Sequence, residues 1–575
     1  MNRRLRLMAG AACIALLVGV TGCGQEAERN TAELPAPTEE APDVATVADA
    51  GTIVEPGTVD PAQQTQRTEA EALQGTTEPE IAFLAYSDTA TITPAPPPTA
   101  TERYSDLDEA GIFTVADTPV STFSIDVDTG AYSNVRRMLN AGYLPPEDAV
   151  RIEELINYFD YAYEAAPDSE HPFSINTAVT RTPWNENTYL LQVGLKGFEP
   201  PVAERPAANL VFLVDVSGSM DSQDKLPLVK SSLRLLVKEL GADDTVALVT
   251  YAGTSGIVLE PTSGADKSTI LAAIDNLGAG GSTNGAGGIV DAYALAEQAM
   301  IEGGANRVIL ATDGDFNVGV VDQQQLEELI EAKRKSGIAL TTLGVGDGNY
   351  NEPVLEQLAD LGNGNYAYLD TLREAQKVLV KEMGSTLFTI AKDVKIQIEF
   401  NPEIVAEYRL IGYENRLLER EDFNNDRIDA GEIGAGHTVT ALYEITLVGS
   451  DGRMVDPLHF EQDDTNEIAN AGDEPNLAED FAFLRLRYKL PEEQASRLIE
   501  QTLPGTMLAR VDDPEADIAR AAAVAAFGQL LRGGNHAGTF EYEDVIALAE
   551  SVDDRDGGDW DEFIDLVQLA EALQQ

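Results

Sequence analysis

The sequence is poor in cysteine, histidine and positive charge. Its 575 residues include two cysteines and four histidines, and Cys13 and Cys23 both lie near the N-terminus. The rest of the chain can therefore form no internal disulfide. The 39 Lys and Arg residues stand against 98 Asp and Glu, a formal net charge of −59. Such an excess of negative charge argues against nucleic acid as a partner, and its spread along the chain indicates a solvating surface.

The first 22 residues have the pattern of an export signal. Three arginines precede residues 7–20, an apolar stretch that is too short to remain as a membrane-spanning helix. The following Val20-Thr21-Gly22-Cys23 resembles a lipobox, which implies cleavage before Cys23 and its diacylation. We expect a lipid anchor at Cys23 and a body in the cell envelope facing the periplasm or the exterior. If the cell has two membranes, Gly24 after the cysteine favours the outer one. The alternative to a lipobox is an ordinary signal peptide in which Cys23 is incidental.

The sequence divides into segments of different composition. Residues 23–106 are rich in Ala, Thr, Glu and Pro, which predicts an extended, flexible stalk. Residues 107–204 mix short strand and helix patterns and are predicted to form a small α+β N-terminal module. Residues 391–575 continue with strands and then helices, which predicts a β-then-α C-terminal module. The Ala-rich residues 518–531 are predicted to be a core helix, with packing on a membrane as the alternative.

Residues 205–390 alternate buried strands with amphipathic helices. Strand patterns lie at 210–214, 245–251, 307–311 and 339–345, and the apolar residues of 226–240 fall on one helical stripe. This alternation predicts an α/β domain with a doubly wound, mostly parallel sheet. Ligands of such sheets bind beyond the carboxyl ends of the strands.

Three loops at that edge of the sheet carry oxygen ligands. The first strand runs into Asp215-Val-Ser217-Gly-Ser219, a glycine-rich loop carries Thr283, and a later strand ends at Thr312-Asp313. This arrangement resembles the metal-ion-dependent adhesion site of the von Willebrand factor A domain. The resemblance implies that Ser217, Ser219 and Thr283 bind a divalent metal directly, while Asp215 and Asp313 act mainly through water.

The metal implied by this resemblance is Mg²⁺ first, with Mn²⁺ and Ca²⁺ left open. Mg²⁺ requires six hard oxygens at about 2.0–2.1 Å, and three neutral hydroxyls with waters leave it electropositive, with one replaceable position. A carboxylate from a protein ligand can fill that position. The expected partner is therefore an acidic side chain of another protein.

The flanking segments extend the resemblance beyond one domain. The stretches 123–132, 429–444 and 521–532 are similar to those of a bacterial lipoprotein family called YfbK-like, in which an N-terminal module, the metal-binding domain and a C-terminal module occur together. The match spans residues 107–575. It implies nothing about the ligand.

The sequence leaves other functions open. The preferred hypothesis is a binding module rather than an enzyme, because no nucleophile-and-base set is evident. The alternatives are a structural protein of an envelope assembly and a metal-dependent adaptor or hydrolase subunit.

Two further motifs resemble known sites but depart from their patterns. Residues 422–432 resemble a calcium loop, but Arg427 replaces its turn glycine, so an Asx-rich hairpin loop is preferred. Asp128-Thr-Gly resembles an aspartic protease triplet that has no second copy.

Overall fold

The computed structural model describes most of the chain after residue 101. The described residues are 102–106, 109, 111–166, 171–201, 205–281, 285–314, 323–348, 350–455, 475–509, 511, 515–552 and 558–574. The predicted signal peptide, Cys23 and most of the predicted stalk lie outside them, as does Thr283. In these ranges no helix is long and apolar enough to cross a membrane.

The strands are β1 Phe113–Thr114, β2 Val120–Ser124, β3 Phe173–Thr182, β4 Asn185–Gly197, β5 Ala208–Asp215, β6 Thr245–Tyr251, β7 Ser255–Ser263, β8 Ala305–Thr312, β9 Ile338–Val345, β10 Tyr366–Leu369, β11 Thr389–Phe400, β12 Val405–Ile411, β13 Gly431–Gly434, β14 Thr438–Leu447, β15 Asp480–Lys489 and β16 Arg497–Pro504. The helices are α1 Gly130–Asn140, α2 Ile152–Asn157, α3 Leu226–Glu239, α4 Lys267–Asp275, α5 Gly285–Gln298, α6 Gln323–Lys335, α7 Glu352–Leu361, α8 Leu372–Gln376, α9 Met383–Leu387, α10 Ala516–Leu531, α11 Tyr542–Glu550 and α12 Asp559–Gln574. A π-helical turn, Lys377–Lys381, joins α8 to α9, and a 3₁₀ turn, Gly218–Asp221, follows β5.

The central domain is built on a six-stranded sheet. Its strand order is β10-β9-β8-β5-β6-β7, in which β7 alone is antiparallel to its neighbour. Strand β5 is buried at every position because apolar clusters cover both faces of the sheet. The prediction of a doubly wound, mostly parallel sheet is confirmed. Since β5 lies next to β8, the loops that follow these two strands meet at one edge.

The segments on either side of this domain share their sheets. One sheet has the order β1-β12-β14-β4-β3, and in a second sheet β2 pairs with β11. Strands before the central domain thus pair with strands that follow it. The structure joins into one unit what the sequence predicts as two modules, 107–204 and 391–575. The predicted end of the central domain, residue 390, falls within β11, a strand of that joint unit.

The Ala-rich helix α10 lies in the core of that joint unit. Of its 16 residues, 13 are buried, among them Phe527, which contacts the rings of Tyr542 and Phe563. It packs against α2 and α11 in a cluster that also includes α1 and α12. These contacts support the core interpretation of residues 518–531.

Two arginines, the buried Arg151 and the largely buried Arg416, connect the joint unit to helix α7 of the central domain. Arg151 contacts Glu352 at 2.7 Å and Glu356 at 2.5 Å. Arg416 contacts Glu356 at 3.1 Å and Asp360 at 2.6 Å. Such pairs fix the position of α7, since removing one partner would leave buried charge without compensation.

Basic side chains of two neighbouring strands, β11 and β15, contact residues 422–432, the loop that resembles a calcium site. Lys395 donates to the backbone oxygens of Asp422 and Asn425, and Arg487 contacts Asn424 and Asp426. Several oxygens of this loop are therefore already bound by basic side chains of the protein itself, which favours the hairpin-loop interpretation.

Candidate metal centre

The loop after β5 orders its carboxylate and its hydroxyls together. Asp215 is fully buried, and its Oδ1 accepts a hydrogen bond from the Ser217 backbone N at 2.8 Å. The Ser217 and Ser219 hydroxyl oxygens lie 2.9 Å apart. The short spacing of these residues makes this geometry local, because an Asp side chain readily accepts from the amide two residues later. Two hydroxyl oxygens therefore face one another beside a buried carboxylate.

The loop after β8 adds a second carboxylate. Thr312 donates its hydroxyl to Asp215 Oδ2 at 3.1 Å, which connects the two loops directly. The next residue, Asp313, is fully buried, and its Oδ2 lies 3.0 Å from Lys225 Nζ. Its Oδ1 is buried without a hydrogen-bond partner in the described part of the chain. A buried carboxylate oxygen of this kind is energetically costly unless it binds a proton or a cation.

The third predicted loop approaches the first one through its backbone. Gly218 N donates to Gly281 O at 3.1 Å, and Gly280 N donates to Val216 O at 2.7 Å. Thr283 itself lies outside the described residues, so its predicted role as a metal ligand stays a prediction. The structure brings together Asp215, Ser217, Ser219 and Asp313.

The electrostatics of the centre favour a cation. Burial raises the pKa of Asp215, and the nearby Asp313 carboxylate raises it further, while hydrogen bonds from Ser217 and Thr312 oppose the rise. Among the described residues, Lys225 pairs with Asp313 but not with Asp215, so a divalent ion would relieve the repulsion between the two buried carboxylates. The donor set fits Mg²⁺ or another hard cation because every candidate ligand atom is oxygen. No described group of three His, Cys, Asp or Glu residues could hold a metal, so this centre depends on its hydroxyls.

Three residues of the centre were not singled out from the sequence. Lys225 pairs with Asp313, and Gly314 packs against the backbone of Asn351. Tyr251 lies near Asp215: burial raises the pKa of the Tyr251 hydroxyl, and the Asp215 carboxylate raises it further. One signal for Lys225 was available: it is the first basic residue after β5. The position of Tyr251 follows only from the pairing of β6 with β5.

Comparisons with known families cover both parts of the fold. Residues 209–381 match the von Willebrand factor type A domain, residues 98–192 match the family described as von Willebrand factor, and residues 385–573 match the C-terminal region of the uncharacterized protein YfbK. These matches agree with the mostly parallel sheet of the central domain and with the additional strands on either side of it.

Individual relatives range from close to distant. The uncharacterized protein YfbK of Escherichia coli is 46% identical over 88% of this chain and 87% of its own length. The human inter-alpha-trypsin inhibitor heavy chain H3 is 24% identical over 42% of this chain and 28% of its own length. A solved von Willebrand factor type A protein from Catenulispora acidiphila covers 69% of this chain and 89% of its own, with 14% identity and a TM-score of 0.37.

The high identity to the Escherichia coli protein extends over nearly the full length of both chains and includes the central domain. This chain therefore belongs to the YfbK family of proteins with a von Willebrand factor type A domain.

Proposed function

We propose that this chain is a lipid-anchored envelope protein whose metal centre binds a carboxylate of a protein partner. One observation carries the metal-binding part: buried Asp215 and Asp313 converge from two strands beside the paired hydroxyls of Ser217 and Ser219, with one Asp313 oxygen left unpartnered. Ser217, Ser219 and Thr283 would supply neutral oxygens, and the two aspartates would hold waters. A bound divalent ion supplies a strong electropositive point that can accept a partner's carboxylate.

The residues that surround the centre favour binding over catalysis. Among the described residues of its loops, we find no histidine or cysteine, and the two buried carboxylates belong to the metal set. Asp221 and Asp224 of the same loop are exposed to solvent, so the described loops offer no buried carboxylate or imidazole outside the metal set as a general base.

The first test is a calorimetric titration of Mg²⁺ and Mn²⁺ into the full chain and into Asp215→Asn. The matched control is Asp244→Asn, because Asp244 is also buried and accepts from backbone amides, but lies at the opposite end of the same sheet. We expect wild type and Asp244→Asn to bind metal and Asp215→Asn to lose binding while remaining folded by circular dichroism. Metal binding that is equal in all three proteins, or absent from wild type, would refute the proposal.

The partner and the anchor need separate tests. Paired synthetic peptides that differ only by Asp or Asn test carboxylate recognition: retention of the full chain on the Asp peptide alone, and only with Mg²⁺, is expected. Retention without metal would contradict the proposed mode. For the anchor, a fatty-acid label should be incorporated by the wild-type protein and lost in Cys23→Ala. A label absent from wild type, or equal in both proteins, would exclude an anchor at Cys23.

A further inference from the structure

Residues 102–106 form a short strap, named so here, along the loop that follows β9. Arg103 N donates to Tyr350 O at 2.9 Å, and Glu352 N donates to Arg103 O at 3.2 Å. These bonds form a parallel bridge between Arg103 and Asn351. The strap is therefore held by main-chain bonds of the same kind as those of a β-ladder.

Side chains of the strap strengthen this contact. The Glu102 carboxylate accepts from Gly348 N at 3.1 Å and pairs with Arg137 of α1 at 3.0 Å. The Tyr104 hydroxyl donates to Glu102 at 2.8 Å, and its ring lies 6.2 Å from that of Tyr350. The strap thus ties the β9–α7 loop to helix α1 of the joint unit.

The opposite side of the same loop contacts the candidate metal centre. A Cβ atom added to Gly314, which directly follows Asp313, would lie 2.5 Å from Asn351 N and 2.8 Å from Tyr350 Cα. Gly346, at the start of the loop, lies directly against the aliphatic part of Lys225, whose Nζ pairs with Asp313. Since not even a methyl group fits between them, the loop cannot move towards these residues unless Asp313 or Lys225 shifts as well.

We propose that the strap is a positioning element of the metal centre: it presses the β9–α7 loop against Gly314 and Lys225 and so holds Asp313 in its metal-binding position. The inference rests on the proposed metal-binding function. Residues that orient metal ligands without touching the ion change metal affinity by about 10–100-fold when they are removed. Because the strap is also the end of the predicted stalk, a displacement of the stalk would reach Asp313 through two packed contacts.

The test compares two double variants in the full chain. Glu102→Ala/Tyr104→Ala removes the side-chain contacts of the strap. The control, Glu109→Ala/Phe113→Ala, also removes one glutamate and one aromatic ring, but these contact Asn535 and Tyr408, outside the central domain. Each protein is titrated with Mg²⁺, and amide hydrogen exchange over residues 312–314 and 346–352 is measured without metal.

We expect the strap variant to bind Mg²⁺ about tenfold more weakly than wild type. Its amide hydrogens should exchange faster in both segments and at the wild-type rate in the rest of the chain. The control should match wild type. Equal Mg²⁺ affinity in both variants overturns the inference. If wild type itself binds no metal, the proposed function fails, and the exchange data then test the positioning role by themselves. Unchanged exchange at 312–314 in the strap variant overturns that role. Faster exchange at 312–314 in the strap variant, but not in the control, supports it.

Discussion

Gly314→Ala tests how tightly the loop after β8, which carries Asp313, is packed. Gly314 has a φ of +92°, and an added Cβ would lie 2.5 Å from Asn351 N. The obstacle is backbone, so relief requires the loop itself to move. Gly303, just before the opposite end of β8, also has a positive φ of +72°, but its added Cβ would meet nothing within 4 Å. Gly303→Ala is therefore a control that carries backbone strain without the steric overlap.

The two variants should differ by the cost of the overlap. A non-glycine residue in this backbone region costs about 1–3 kcal/mol, which both variants share. Forcing extra volume into a packed site costs a further ~1–3 kcal/mol, which falls on Gly314→Ala alone. The displaced loop carries Asp313 with it, so metal affinity should fall about 10–100-fold in Gly314→Ala and stay near wild type in Gly303→Ala.

Urea unfolding followed by circular dichroism gives the first quantity, and Mg²⁺ calorimetry gives the second. Equal destabilisation of the two variants would show that the backbone contact with Asn351 yields freely. Unchanged Mg²⁺ affinity in a destabilised Gly314→Ala would show that Asp313 does not depend on its neighbour. Either result would refute the reasoning that connects loop packing to the metal centre.

Three further predictions concern the rest of the fold. Burial, and then the nearby Glu414 carboxylate, raise the pKa of Glu153 to about 7 from its usual value near 4.5. Between these two pH values the folded state keeps a proton that the unfolded state loses, so the stability of the fold falls as the pH rises. Glu153→Gln should therefore gain about 3 kcal/mol at pH 8 and almost nothing at pH 4 in urea titrations, and an equal effect at both pH values would contradict this assignment. Arg416→Met removes the cation beside the buried carboxylates of Asp126 and Asp128 and should cost about 3–5 kcal/mol, against at most ~1 kcal/mol for the exposed control Arg234→Met; similar thermal shifts would refute this. Phe527→Ala should cost about 3–5 kcal/mol, while Leu569→Ala, on the partly exposed face of α12, should cost far less, and a small loss for Phe527→Ala would reopen the membrane interpretation of α10.

The sequence determined the central domain because the information it needs is local. Strand periodicity, helical stripes and the spacing of Asp215, Ser217 and Ser219 each act over a few residues. In a parallel sheet, the carboxyl ends of neighbouring strands meet at one edge whatever the rest of the chain does. This is why the loop of Asp313 could be placed beside that of Asp215 before any pairing was known.

Only the tertiary structure decided how the flanking segments combine. Val120–Ser124 pairs with Thr389–Phe400 across the whole central domain, and residue patterns that repeat every two positions do not state which distant strand is the partner. The same limit applies to Lys225 and to the strap, whose contacts with Asp313 and Asn351 join residues far apart in the chain. Local sequence thus determined the chemistry of the loops at the candidate metal centre, while long-range packing determined which residues hold them in place.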